Sequence, residues 1–525
     1  MDFQVLATRG KAGYRQYRIP AMAVTPSGRV IAIYDARADL DDLPGPVDLV
    51  IRTSDDNGDS WTPQRVFLES HGVTGYGDAS IIIDPTFGKH GRVIVLCQTS
   101  ELASFFESSR GSALDDPRIV HVHRSISDDD GVSWKHEVIT GQVKSEDVEG
   151  IFASSGMGAS FLTGPHKGRL VHSFVLRRSN TLLGALAYSD DHGVTWKLGA
   201  EIPGGNESAV ACLGDGTLLF HSRARPFRTS GRSSDGGESI TTIGADEELP
   251  DPSDNGSLCV LKSGAVICTH NHDQDLRRRT VAKKSYDGGK TWPEAIVLEE
   301  ESSGYSTSCE LGDGRIAVFF ERFGYSEMVF CRIDPEDFEP THLVLPIQYD
   351  ENKVEFTIAL RYIRPARDEN RLKEIGSATQ NRIPLIDMSQ FRASERKEIG
   401  PSNGSASGDP VFTKEEFDQI LGPVTPGLHC GDELRFSGRI WNHNVTSLHN
   451  LRIVHPCNTD EIHVASLKPE EKLTFMDLRY VLTHNDIESG NLSLTFQWFG
   501  ELESKGSVAG EFTHTFSIST GLSIG

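Results

Sequence analysis

The sequence has 525 residues, more than one ordinary domain holds, and a formal net charge of −23. So large a negative charge argues against nucleic acid and anionic membrane surfaces as partners, and no apolar run is long enough to span a bilayer. The eight cysteines lack the spacing of metal-binding motifs, so the sequence predicts no metal site and no cofactor.

Short strands are predicted throughout residues 1–348. Alternating apolar patterns such as those over 29–34, 91–96 and 314–320 are bounded by turn residues. No long helical pattern interrupts them. The sequence therefore predicts an all-β domain over residues 1–348.

An eight-residue pattern, Ser-x-Asp-x-Gly-x-Ser/Thr-Trp, recurs through this domain, and we refer to it as the Asp box. Complete copies begin at Ser54, Ser127, Ser189 and Ser285, and a copy at Ser233 has lost its Trp. The Asp can accept hydrogen bonds from the amides of a tight turn, and the Gly can take positive φ. The Trp begins the next strand and buries its ring.

The spacing of the Asp boxes predicts a β-propeller. Successive copies begin 44 to 73 residues apart, which fits four-stranded blades with long insertions in the early ones. Five turns and a closing blade made from both ends of the domain predict six blades. The spacing alone also allows seven.

The chain changes character after the propeller. Residues 349–410 include a charged stretch and a Gly-, Ser- and Pro-rich stretch, which predict a linker. Short alternating strands return over residues 411–525 without the Asp box. This pattern predicts an immunoglobulin-like β-sandwich as an accessory domain.

Two of the Asp boxes look at first like calcium loops, because they begin with runs of acidic residues at Asp55 and Asp128. An EF-hand needs a Glu at loop position 12 and helices on both sides. Position 12 is Val66 in one case and Ile139 in the other, and the flanking segments are predicted strands. We therefore predict no calcium at these turns.

The Asp boxes, together with the motif Tyr17-Arg18-Ile19-Pro20 ahead of the first box, resemble the bacterial exo-α-sialidase (neuraminidase) family. The resemblance covers about residues 1–345. It implies a six-bladed propeller that binds the carboxylate of sialic acid.

Three arginines bind that carboxylate in the family. The resemblance assigns these roles to Arg18, Arg223 and Arg277, with the adjacent Arg278 as an alternative to the third. Arginine suits the task because it is always charged and its planar fork pairs with both oxygens of a carboxylate. A cluster of three also makes a preformed anion site within a negatively charged protein.

The resemblance further implies a tyrosine nucleophile, Tyr305, with Glu207 as its base. A neutral phenol can approach an anomeric carbon that carries a carboxylate without the repulsion that an Asp or Glu would meet. The general acid is expected on a loop of the first blade. Among Asp39, Asp41 and Asp42, the family pattern selects Asp42, just before a Pro-Gly-Pro stretch.

Three further residues match positions of the family that support the substrate. Glu321 corresponds to the residue that orients the first arginine, and Arg37 and Asp78 to residues on the C4 side of the sugar.

Together these features predict a glycoside hydrolase, a retaining exo-α-sialidase that removes terminal sialic acids from glycans, glycoproteins or glycolipids through a tyrosyl-linked intermediate. One alternative is a trans-sialidase, either intramolecular or of the transfer type, and another is a sialidase that prefers the deaminated sugar. A propeller that only binds sialosides is a third, but it would need the arginines without Asp42, Glu207 and Tyr305. The N-terminus shows no leader pattern, so we expect either a cytoplasmic protein or a secreted or surface protein whose leader was removed.

Overall fold

The computed structural model of the protein describes residues 1–341, 352–368, 370–372, 384–385, 409–457, 461–503 and 505–518. In the first of these ranges, antiparallel sheets follow one another along the chain as six blades. The sequence prediction of an all-β fold with a six-bladed propeller is confirmed.

The first three blades are formed by fourteen strands. The first blade contains β2 (Gln16–Val24), β3 (Val30–Arg37), β4 (Val47–Ser54) and β5 (Arg65–Leu68), following a strand β1 (Asp2–Thr8) that belongs elsewhere. The second contains β6 (Gly75–Asp84), β7 (Arg92–Ser100), β8 (His121–Ser127) and β9 (Lys135–Val138), and a short helix, α1 (Thr140–Val143), follows it. The third contains β10 (Gly150–Ala153), β12 (Ala159–Ser160), β13 (Leu170–Arg178), β14 (Thr181–Ser189) and β15 (Lys197–Pro203), while β11 (Gly156–Met157) pairs with β6 of the second.

The last three blades complete the ring. The fourth contains β16 (Ser208–Cys212), β17 (Leu218–Ser222), β18 (Phe227–Ser233) and β19 (Thr241–Pro250). The fifth contains β20 (Ser257–Val260), β21 (Val266–Asn271), β22 (Arg278–Ser285) and the first half of β23 (Glu294–Glu310), with β26 (Glu339–Pro340) alongside. The sixth contains the second half of β23, then β24 (Ile316–Arg322), β25 (Glu327–Ile333) and β1.

The N-terminal strand closes the ring. β1 pairs antiparallel with β25, with Asp2 opposite Arg332 and Thr8 opposite Glu327. The sixth blade is therefore built from both ends of the propeller segment, as the sequence predicts. Apolar side chains of neighbouring blades pack between the sheets, and Tyr34, Phe319 and Phe330 are fully buried in the packing of the first and sixth blades.

Each Asp box forms the turn between the third and fourth strands of its blade. In the copy that begins at Ser285, the Asp287 carboxylate accepts from Thr291 N at 3.0 Å and from Thr291 Oγ1 at 2.8 Å. Gly289, with φ of 80°, donates from its amide to Ser285 Oγ at 2.8 Å. The copy that begins at Ser233 keeps the same turn without its Trp. Because consecutive strands run antiparallel, these turns lie at the end of the blades opposite to the start of the first strand.

The C-terminal domain is a two-sheet sandwich, as predicted. One sheet contains β27 (Val354–Arg364), β30 (Glu433–Asn442) and β33 (Lys472–Val481), and the other contains β31 (Leu448–Val454), β32 (Ile462–Leu467), β34 (Asn491–Leu502) and β35 (Gly506–Ser517). A short pair, β28 (Pro384–Leu385) with β29 (Asp409–Pro410), precedes the helix α2 (Lys414–Leu421), and α3 (His484–Ser489) precedes β34. Phe356, Phe436, Phe496 and Trp498 lie in the shared core.

The predicted linker over 349–410 needs correction at its start, and much of its remainder lies outside the described residues. β27 pairs with β30 along its whole length, so the sandwich takes its first strand from this segment. Its alternation of apolar and polar residues over 354–360 is that of a strand with one face in a core, and the charged residues after it concealed this in the sequence.

The sandwich is docked on the propeller through buried polar contacts. Arg9 pairs with Asp432 at 3.1 Å, and Arg439 pairs with Asp273 at 3.0 Å. All four side chains are nearly buried, and each of these charges has a partner of opposite sign in the interface.

Candidate active site

A cavity of about 340 Å³ opens at the face of the propeller where the first strands begin. It is lined by seven of the nine residues predicted for the site, namely Arg18, Asp42, Asp78, Glu207, Arg223, Arg277 and Tyr305. The remaining two, Arg37 and Glu321, are buried directly behind them. The Asp boxes are at the opposite end of the blades and take no part in the cavity.

The phenol of Tyr305 and the carboxylate of Glu207 form a close pair. Tyr305 Oη donates to Glu207 Oε2 at 2.6 Å. The Arg223 guanidinium contacts both the phenol oxygen and Glu207 Oε2. Burial raises the pKa of Tyr305 well above its ordinary value, and Glu207 adds to the increase while Arg223 and Arg277 oppose it. The phenol is therefore protonated at neutral pH and has a proton acceptor in contact.

Three guanidinium groups surround the ring of Tyr305. The Cζ atoms of Arg18, Arg223 and Arg277 lie 5.5, 5.8 and 5.4 Å from its centroid. Each group faces the cavity while one edge is held by the protein. Three cations around one ring at the cavity make an arrangement that can bind an anion such as a carboxylate.

A buried acid accompanies each arginine. Arg18 pairs with Glu321 at 2.8 Å, and Arg223 pairs with Glu207. Arg277 lies 3.3 Å from Asp254, a residue that no sequence pattern indicates. Burial raises the pKa of Asp254 to about 7 in spite of the adjacent Arg277.

Arg277 and Arg278 lie in different surroundings. Arg277 lines the cavity and donates from Nη1 to Tyr325 Oη at 2.9 Å. Arg278 begins β22 and pairs with Asp273 at 3.0 Å, next to the sandwich. Only the first of the two can reach a ligand in the cavity. Tyr325, which sequence reasoning also missed, has Arg18 stacked 3.8 Å above its ring.

Glu321 joins the Arg-Ile-Pro motif to the strand that carries Tyr305. Its Oε1 accepts from Arg18 Nε at 2.8 Å and from the amide of Ile19 at 2.7 Å. Its Oε2 accepts from the amide of Tyr305 at 3.0 Å. Ile19 has φ of 59°, a conformation that a β-branched residue rarely adopts, and this turn directs its amide at Glu321. The carboxylate thus fixes the positions of Arg18 and Tyr305 relative to each other.

Asp42 lines the cavity, and its carboxylate pairs with Arg37. About half of its side chain (49%) is exposed, and its Oδ1 accepts from Arg37 Nη1 at 2.7 Å. Burial opposes ionisation, but Arg37 and Arg18 outweigh it and lower the pKa of Asp42 below its ordinary value. Asp39 and Asp41 instead pair with Arg367 of the C-terminal region.

Arg37 and Asp78 both contact Asp35, a buried acid that, like Asp254, the sequence did not indicate. Arg37 Nη2 pairs with Asp35 Oδ2 at 2.6 Å, and the amide of Asp78 donates to Asp35 Oδ1 at 3.2 Å. Burial raises the pKa of Asp78, and Asp35 and Glu207 raise it further. Gln98 donates to the Asp78 carboxylate. This wall of the cavity therefore carries a hydrogen-bond donor, Gln98, beside an acid, Asp78.

Other parts of the cavity wall had no signal in the sequence. Phe105, Phe106 and Phe152 form an apolar side, and Arg361 and Tyr362 come from β27 of the sandwich. Among the residues that the structure describes, no group of three or more His, Cys, Asp or Glu side chains is placed to hold a metal ion. No helix in the described ranges is both long and apolar enough for a membrane crossing.

Comparisons with known proteins bear on the family and the fold of this chain. Residues 92–318 match the family model described as a BNR repeat-like domain. The chain is 32% identical over 336 residues to a sialidase of Micromonospora viridifaciens, an alignment that covers 61% of this chain and 52% of that protein. The chain thus spans about half the length of this relative.

Solved structures show the same fold. A Hadza microbial sialidase, Hz136, aligns over 64% of this chain and 68% of its own with a TM-score of 0.58 and 23% identity. The intramolecular trans-sialidase from Ruminococcus gnavus aligns over 63% of this chain and 97% of its own, with a TM-score of 0.55 and 16% identity.

Proposed function

Because the propeller of this chain belongs to the sialidase family, we propose that the protein is a retaining exo-α-sialidase that hydrolyses terminal sialic acids on glycans, glycoproteins or glycolipids. The observation that carries the proposal is the hydrogen bond of 2.6 Å between Tyr305 and Glu207 within a ring of three guanidinium groups. A protein that only bound sialosides would need the arginines but not this pair.

Binding places the anomeric carbon against the nucleophile. Arg18, Arg223 and Arg277 hold the carboxylate of the sugar, and bidentate pairing fixes its plane. The phenol oxygen of Tyr305 then lies beneath the ring. The charge of the bound carboxylate also offsets the repulsion among the three cations.

The first step forms a bond from Tyr305 Oη to the anomeric carbon and breaks the bond to the aglycone oxygen. Glu207 takes the phenol proton, and Asp42 gives its proton to the departing oxygen. A phenol of ordinary pKa near 10 costs about 4 kcal/mol to ionise at pH 7. Glu207 removes that cost by accepting the proton as the new bond forms. In the second step Asp42 takes a proton from water as the water oxygen bonds to the anomeric carbon. The bond to Tyr305 Oη breaks, Glu207 returns its proton to the phenol oxygen, and the sugar is released.

Turnover of a methylumbelliferyl α-sialoside by the full chain tests the proposal. Wild type should release the fluorophore, and Tyr305→Phe should lose nearly all turnover while it still binds sialic acid in calorimetry. Tyr286→Phe is the matched control, because Tyr286 lies in an Asp box, away from the cavity, and its hydroxyl donates to Glu294 at 2.8 Å. A wild-type rate in Tyr305→Phe would refute the assignment of the nucleophile.

The products separate the related activities. Free sialic acid, identified by mass and by NMR, is expected for hydrolysis. An anhydro sugar lighter by one water would indicate an intramolecular trans-sialidase, and a sialylated acceptor would indicate transfer. Faster turnover of the deaminated sialoside would identify that sugar as the substrate. Binding without any turnover between about pH 4 and pH 8 would leave a sialoside-binding protein.

A further inference from the structure

The sandwich domain contributes a wall to the cavity of the propeller. Arg361, Tyr362 and Arg364 of β27 line the same cavity as Tyr305. The backbone of this strand is held by propeller side chains on both sides of Tyr362. Ser302 Oγ donates to the carbonyl of Leu360, and Gln16 Nε2 donates to the carbonyl of Ile363 at 2.9 Å in a buried position.

The loop that carries Asp42 is docked on the same region of the second domain. Arg367 pairs with Asp39, which is only 3% exposed, and with Asp41 at 2.9 Å. Arg364 approaches Asp41 at 3.3 Å. At the base of the loop, Ala38 packs against the apolar cluster formed by Phe412, Phe417 and Ile420.

The carboxylates of this loop need positive partners from the second domain. Asp39, Asp41 and Asp42 lie within four positions, and carboxylates so close repel one another. Arg364 and Arg367 neutralise two of the three and hold them against the second domain. The third carboxylate is left at the cavity with Arg37 as its neighbour.

We propose that Arg364 and Arg367 are positioning residues for the general acid, so that the sandwich domain completes the active site of the propeller. The inference rests on the proposed function, since it concerns the proton that Asp42 gives to the leaving oxygen. Neither arginine takes part in the chemistry itself. Their effect is to keep the loop in the conformation in which Asp42 reaches the glycosidic oxygen.

The dependence of rate on the leaving group tests this role. An alcohol such as the lactose of sialyllactose needs protonation to depart, whereas the phenol of an aryl sialoside leaves with little help. The variant Arg364→Gln/Arg367→Gln should lose about 10- to 100-fold in kcat/KM on sialyllactose and less than about threefold on the aryl sialoside. Arg367→Lys should recover part of the loss because it keeps the charge.

Lys472→Gln is the matched control. Lys472 pairs with Asp275 in the same domain interface, and neither residue lines the cavity. This variant should cleave both substrates at the wild-type rate. Equal losses of the double variant on the two substrates, or no loss on either, would overturn the proposal.

Hydrogen exchange gives a readout that does not depend on activity. The amides of residues 38–43 should exchange faster in the double variant than in wild type, while those of the other blades stay unchanged. Unchanged exchange in this loop would overturn the positioning role even if the wild type cleaves neither substrate. Lack of wild-type cleavage together with faster loop exchange would count against the proposed function and support the contact between loop and domain.

Discussion

Replacing Glu207 with Gln removes the proton acceptor of Tyr305 and keeps its size. The phenol then has to ionise without a base, which costs about 4 kcal/mol at pH 7 for an ordinary tyrosine. Burial raises the pKa of Tyr305 further, so the cost is larger in this cavity. General bases contribute about 10²- to 10⁴-fold to rate. We expect Glu207→Gln to lower kcat by this factor, or about 3 to 5 kcal/mol in barrier height.

Steady-state kinetics on an aryl sialoside, followed by fluorescence, measure the effect. KM should change by less than about fivefold, because Arg223 keeps its position in the cavity and still faces the carboxylate. The kcat of the variant should also rise with pH, since ionised phenol becomes more abundant and the aryl group needs no acid. Glu201→Gln, at an ion pair with Arg178 on the surface of the third blade, is the control.

Two results would contradict this reasoning. A kcat within a few fold of wild type would show that Glu207 is not the base. A loss confined to KM would show that its role is to hold Arg223 for binding.

Three further expectations follow from the site and from the Asp boxes. Arg18→Lys loses the two-point pairing with Glu321 and the planar fork for the ligand. A hydrogen bond to a charged group is worth about 1.5 to 3 kcal/mol, so KM should rise about 10- to 100-fold. Arg29→Lys, on the surface, is the control. An unchanged KM in Arg18→Lys would contradict the expected role of Arg18. The pKa of Asp42 is lowered because Arg37 and Arg18 outweigh the opposing effect of burial. Its acid form therefore begins to decline at a lower pH than that of an ordinary Asp. The kcat/KM for sialyllactose should therefore fall about tenfold per pH unit above that lowered pKa, and a flat profile from about pH 4 to pH 8 would exclude Asp42 as the acid. Ser285→Ala removes the hydroxyl that accepts from the Gly289 amide and donates to Asp287. It should lower the free energy of unfolding in denaturant by about 1 to 3 kcal/mol without changing KM, and unchanged stability would contradict the structural role of the box.

The parts of the site that lie near sequence motifs could be predicted from the sequence. Arg277 precedes Ser285 by a fixed number of residues, and Tyr305 follows the same Asp box, so a local turn registers both. Arg18 stands inside a motif, and the unusual backbone at Ile19 turns the motif toward Glu321. Positions set by a local turn or motif can be predicted from the neighbouring residues in the sequence. The structure brings these residues together, and their catalytic roles remain predictions.

Residues placed by tertiary closure had no such signal. Asp254 is an acid in a stretch without a motif, and only the folded ring brings it beside Arg277. Tyr325 meets Arg277 across 48 positions of sequence. The contribution of Arg361 and Tyr362 depends on how a second domain docks on the first, which no local pattern encodes. The same reason hid β27, whose partner strand begins at residue 433.

The pairing of β1 with β25 also has a consequence for biosynthesis. Asp2 and Arg332 are 330 residues apart in the chain, so the ring can close only after the ribosome has made nearly the whole propeller. Contacts of such long range form late in folding. Arg18 and Glu321, which face each other across that junction, meet in the same event. A nascent or prematurely terminated propeller therefore holds most of its blades, but Arg18 and Glu321 come together only when the last blade is complete.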